Sequence, residues 1–284
     1  MSELRKHKFT TTVIGEWIRA PAPTSARDAV EPDSGARPRP ENGRGSTDLA
    51  IWSAPERTAI IPYARASKIF VLDEVELPAH ADARLVMLRE PESERARSYR
   101  LLRHRLLARS DPRVIVVTSA SPGEGKTTVA ANLALTLADE TMARVLLVEA
   151  NLRRPALADL FRFEPAESFV GRMAESRCAE PPYSVAAILG TRLQVAALPS
   201  SVAPDARLDR LLFGAVLGDL RDAYDYIVID AASVLESADA DVVAECADGV
   251  IVTARSAKSR KSALGRAVRE LSPARVLGAV LLDS

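Results

Sequence analysis

A β-branched run, Val114-Ile115-Val116-Val117-Thr118, leads into Ala120-Ser121-Pro122-Gly123-Glu124-Gly125-Lys126-Thr127, and an Ala- and Leu-rich helical pattern follows from Thr127 to Asp139. An apolar run of that length reads as a strand covered on both faces. Strand, glycine-rich turn and helix in that order leave few folds open. Glycine lets the turn curl so that successive N–H groups converge on a phosphate, and the helix adds its positive N-terminal end. Lys126 is placed to reach the β- and γ-phosphates, and the Thr127 hydroxyl to hold magnesium. The loop therefore predicts a purine nucleoside triphosphate, ATP, with Mg2+, bound by Ser121, Pro122, Gly123, Glu124, Gly125, Lys126, Thr127 and Thr128. Ala120 stands where the strictest form of the motif has glycine.

Further runs extend the pattern: Arg144–Val148, Leu193–Leu198, Tyr226–Asp230, Val250–Thr253 and Val276–Leu282. Helical spacing fills the gaps, with Leu208, Leu211, Leu212, Val216 and Leu220 on one expected helix over 205–224 and a second over 258–271. Alternation of this kind predicts an α/β fold: a doubly wound, mostly parallel sheet of the P-loop NTPase type over residues 84–284. Asp230 ends an apolar strand, where a carboxylate can hold magnesium together with Thr127. Residues 1–83 read differently. Seven of the chain's 18 prolines fall between Pro21 and Pro62, among Gly, Ser and charged residues, which predicts a mostly disordered tail or linker.

The 38 basic and 38 acidic residues cancel, which argues against a nucleic-acid binder. Cys178 and Cys246, with His7, His80 and His104, form no zinc spacing and read as ordinary residues. No apolar run approaches the roughly 20 residues that span a bilayer. The expectation is a cytoplasmic protein, peripheral at the inner face of the plasma membrane through a partner.

Taken together these residues resemble the cytoplasmic domain of the bacterial tyrosine kinases of capsule and exopolysaccharide synthesis. Ser121 to Thr128 is similar to that family's loop, Leu146 to Pro155 to its second acidic motif, Tyr224 to Asp230 to its Walker B strand, and Leu277 to Leu281 to its closing strand. The resemblance implies catalytic roles for Lys126, Glu149 and Arg153, with Glu149 as the base towards a tyrosine hydroxyl. It also implies a homo-oligomer built through an arginine-rich helix; Glu94, Arg97 and Arg100 match that motif and Arg103 continues the row on one helix face. Counting back from the first strand puts Arg97 at the glutamate's place, so both registers stay open. The implied partner is a membrane-embedded polysaccharide co-polymerase or activator. Septum-positioning and plasmid-partitioning ATPases are the neighbouring branch, but they carry a lysine where this chain has Ser121.

The chain departs from the kinase pattern in several places. Glu149 replaces an aspartate, and a misplacement of about 1 Å at a reacting group costs on the order of a hundredfold in rate. Asn151 replaces a second aspartate near the metal. Leu282 stands where relatives have an asparagine that reads the adenine edge. Ala231-Ala232 replaces a Thr-Pro-Pro turn, and no C-terminal tyrosine cluster is seen. Three readings follow: a weakened tyrosine kinase or slow ATPase, a degenerate kinase acting as a regulatory or scaffolding subunit, and a positioning ATPase.

Overall fold

The computed structural model describes residues 11–14, 69–77, 81–109, 111–140, 142–165, 168–171, 183–199 and 206–283. Their strands are β1 (Thr11–Ile14), β2 (Ile69–Val75), β3 (Val114–Ser119), β4 (Val145–Ala150), β5 (Tyr183–Ile188), β6 (Leu193–Ala196), β7 (Tyr226–Ala231), β8 (Gly249–Arg255) and β9 (Val276–Leu282). They form one sheet in the order β1-β9-β8-β3-β7-β4-β6-β5-β2. The stretch from β9 through β8, β3, β7 and β4 to β6 is parallel throughout. These are the six strands expected from the apolar runs. β5 turns antiparallel to β6, β2 runs parallel to β5, and β1 closes the other edge antiparallel to β9. β1 and β2 lie on the tail side of the boundary drawn at residue 84; most of the remaining 1–83 stretch, and Cys178, lie outside the described residues.

Alternation along the strands splits the core into two layers. Ile115, Val117, Val145, Leu147 and Val228 face one side, under α1 (Val86–Arg89), α2 (Glu94–Arg109), α3 (Lys126–Glu140) and α4 (Leu157–Phe161). Val114, Val116, Leu146, Val148 and Ile229 face the other, under α5 (Arg210–Ala223), α6 (Asp239–Glu245) and α7 (Lys261–Glu270). All six residues of β3, and all six of β4, are buried, as helices on both faces require.

One local expectation needs correction. Leu211 is 78 % exposed. The stripe that α5 buries is Phe213, Val216, Leu217 and Leu220, at spacings of three and four, and Leu211 falls on the opposite face. Tyr183 opens β5; it is buried, and its hydroxyl donates to Asp219 Oδ2 at 2.7 Å.

Candidate functional site

Three strand ends meet at the carboxyl edge of the parallel sheet, where doubly wound folds place their sites. β3 runs into the glycine-rich loop, β4 delivers Glu149, and β7 delivers Asp230. Glu149 and Asp230 are register partners on adjacent strands. The loop needs its glycines: Gly123 and Gly125 take φ of 73° and 88°, in the left-handed region that side chains disfavour. Neither has room for a Cβ. One on Gly123 would lie 2.5 Å from Lys258 Nζ, and one on Gly125 would lie 2.1 Å from Leu282 Cδ1.

Glu124 is buried and holds the loop to the turn after β8. Its Oε2 accepts from the Ser121 N–H at 2.8 Å, and its Oε1 accepts from the Ser259 hydroxyl. Lys258 in the same turn donates to the Gly123 carbonyl at 3.3 Å. Lys126 at the start of α3 is buried, with its Nζ donating to Ser233 Oγ at 3.0 Å. Burial lowers its pKa, opposed by Asp230, Glu236 and Glu124. The segment carrying Ser233 is strapped to the loop's entrance, with the Val234 N–H donating to the Ser119 carbonyl at 2.9 Å.

Asp230 is wholly buried, and neither carboxylate oxygen has a hydrogen-bond partner of good geometry. Burial pushes its pKa up to about 6; the nearby Thr127 side chain and then the Lys126 charge only partly offset this. A buried carboxylate without a partner is costly, and a bound cation is the ordinary remedy. The Thr127 side chain lies beside Asp230.

Glu149 is in a different situation. It too is wholly buried, but its Oε1 accepts from the N–H groups of Ala156 and Leu157, the latter at 2.9 Å, and its Oε2 accepts from Leu198 N–H at 2.9 Å. Burial raises its pKa to about 7, with the three backbone donors pulling down and the Asp230 charge pushing up. Asn151 is buried, and its carbonyl accepts from Arg154 N–H. Arg153 is exposed on the turn beyond β4. Leu282 is buried in the core against Gly125. Of the arginine row on α2, Glu94 and Arg97 are exposed; Arg100 is half-buried and donates to the Pro91 carbonyl at 2.7 Å, and Arg103 is half-buried. Sequence reasoning missed Ser233, Lys258 and Ser259. They lie outside the loop motif, and only the strand order brings them to it.

A family profile described as an AAA domain matches residues 112–268, more than half of the chain and all of the loop, the second acidic strand and the Walker B strand. The chain belongs to this family. Members similar to it include the succinoglycan biosynthesis transport protein ExoP of Rhizobium meliloti (strain 1021), 33% identical over 165 residues, which are 56% of this chain and 20% of ExoP. The tyrosine-protein kinase YwqD of Bacillus subtilis (strain 168) is 29% identical over 203 residues, 69% of this chain and 84% of YwqD. The chain thus spans about a fifth of the length of ExoP and most of that of YwqD. The solved kinase domain of the Escherichia coli tyrosine kinase ETK superposes with a TM-score of 0.61 over 73% of this chain and 88% of that one, at 19% identity, a likeness of fold. The chain is thus similar in sequence to a bacterial tyrosine-protein kinase and in fold to a solved kinase domain. No helix among the described residues is long and apolar enough to cross a membrane.

Proposed function

We propose that the chain is an ATP- and magnesium-binding subunit of bacterial exopolysaccharide or capsule machinery that works through binding and carries little or no tyrosine kinase activity. One observation carries the second half of this reading: both oxygens of Glu149 are engaged by backbone N–H groups of its own chain, and the residue is sealed from solvent. A general base must come within about 2.6–3.2 Å of the proton it takes. Three backbone donors already occupy most of the roughly four acceptor sites of Glu149, and its burial denies access to a tyrosine hydroxyl.

The first half rests on the residues that fit the nucleotide. The left-handed glycines, the N-terminus of α3 and Lys126 form a phosphate cradle. The Thr127 hydroxyl and the partnerless Asp230 carboxylate suit a magnesium ion, which would neutralise phosphate charge. Lys126 sits beside Asp230 in a buried setting, where a phosphate would oppose the lowering of its pKa. Leu282 can pack but cannot hydrogen-bond a base, so discrimination among purines should be poor.

In this reading the protein is cytoplasmic and peripheral to the plasma membrane, acts on a membrane-embedded co-polymerase or activator, and self-associates through Glu94, Arg97, Arg100 and Arg103 on α2. The intact Lys126, Thr127 and Asp230 favour a second reading, a slow kinase or ATPase whose base is not Glu149. The deciding experiment pairs calorimetric titration with ADP and ATP, each with magnesium, and incubation with γ-labelled ATP. Binding that Lys126→Ala weakens tenfold or more, with no label on tyrosine, is expected. Tyrosine labelling by the wild type that Lys126→Ala abolishes overturns the binding-subunit reading.

A further inference from the structure

Beside the phosphate loop, against α7, lies a cavity of about 630 Å³, within the range of pockets that take small ligands or side chains. Ser121 and Leu235 line it from the loop side; Lys258, Arg260, Arg266 and Arg269 line it from the β8–α7 turn and α7. Elsewhere arginines meet acids: Arg144 pairs with Asp225, Arg210 with Glu245, and Arg221 with Asp248. Here the balance is one-sided. The one acid in the lining, Glu124, is already engaged by Ser121 and Ser259. Arg266 pairs with Glu270 at 3.4 Å, but both are largely exposed, and such pairs contribute little.

All four cations are exposed, so water and salt screen them, but gathered around one concavity they favour an anion between them. Arginine forks suit phosphate, which they grip with two parallel hydrogen bonds. Leu235 and Ala263 add an apolar wall beside the cations, which suits an anion carried on a ring. We propose that this cavity binds a phosphotyrosine side chain presented by a segment of a partner protein. Phosphotyrosine brings a charge of about −1.5 to −2 at neutral pH together with an aromatic face. The inference rests on the reading of the chain as a binding subunit beside tyrosine kinases: it would recognise the mark those relatives make.

The test uses the full chain and a fluorescein-labelled peptide, Ala-Ala-phosphotyrosine-Ala-Ala, followed by anisotropy, with matched tyrosine and phosphoserine peptides. The phosphotyrosine peptide should bind, the tyrosine peptide should not, and the phosphoserine peptide should bind at least tenfold more weakly. Replacing Arg260, Arg266 and Arg269 together by Gln should weaken the phosphotyrosine peptide tenfold or more, and Arg269→Gln alone should weaken it measurably, with unchanged circular dichroism. Magnesium–ADP affinity should stay within twofold in both variants, so a failed pocket and a failed nucleotide site are told apart. The proposal is overturned by absent phosphotyrosine binding, by equal phosphoserine binding, or by folded variants that bind as the wild type does.

Discussion

Glu149 and Asp230 are neighbours on adjacent strands, both buried and both acids, yet their surroundings set them to different tasks. Glu149 accepts from three backbone N–H groups, whereas Asp230 accepts from none. Both pKa values lie above the ordinary range, at about 7 and about 6. Between the ordinary carboxylate values and these, the folded chain holds more protons than the unfolded one, so the pair's contribution to stability falls as pH rises through that window. Urea unfolding without magnesium should show this as a loss of stability from pH 5 to pH 8 that is smaller in Glu149→Gln. The same substitution should lower stability at pH 5 by about 1–3 kcal/mol, because an amide cannot accept from all three N–H groups. Asp230→Asn should act oppositely. Without nucleotide it should gain stability at pH 8, on the order of 1 kcal/mol, by removing a charge whose burial outweighs what Thr127 and Lys126 offset. It should also lose the magnesium dependence of nucleotide binding. Equal magnesium dependence in wild type and variant would remove Asp230 from the metal site.

At the scale of elements, the strands legible in the sequence were those with long apolar runs, and they are the parallel core. β5 escaped notice because Tyr183-Ser184-Val185-Ala186-Ala187-Ile188 mixes small and polar residues, and its burial comes from tertiary neighbours that no local pattern reveals. Its first residue tests its importance. Removing the Tyr183 hydroxyl (Tyr183→Phe) should cost about 0.5–1.5 kcal/mol in thermal or urea unfolding through the lost bond to Asp219. The helix α2 offers the complementary case. Its row of charges was legible, but the row divides by exposure: Glu94 and Arg97 face solvent, while Arg100 is tied to Pro91 of its own chain. If the helix carries self-association, Arg97→Glu should shift the oligomer to smaller species by light scattering with melting unchanged. An unaltered size distribution would place the contact elsewhere.

For the molecule as a whole, the loop and Walker B strand announced the architecture because a phosphate cradle works only between a buried strand and a helix. The Glu124–Ser259 tie and the Lys126–Ser233 bond were not legible, since strand order rather than sequence order brings those segments together. A ligand that binds only the folded chain stabilises all of it at once, by about 2.7 kcal/mol at a hundredfold excess over its Kd. Magnesium–ADP should therefore raise the melting temperature by roughly 5–10 °C at that excess, and Lys126→Ala should abolish most of the rise. The Glu149 carboxylate has a counterpart consequence in time rather than energy. It fastens Ala156 and Leu157, before and within α4, to Leu198 beyond β6, so these three amide protons have a common acceptor group. They should exchange with solvent deuterium as a single cooperative unit, at one shared opening rate, although more than forty residues of chain separate the first from the last.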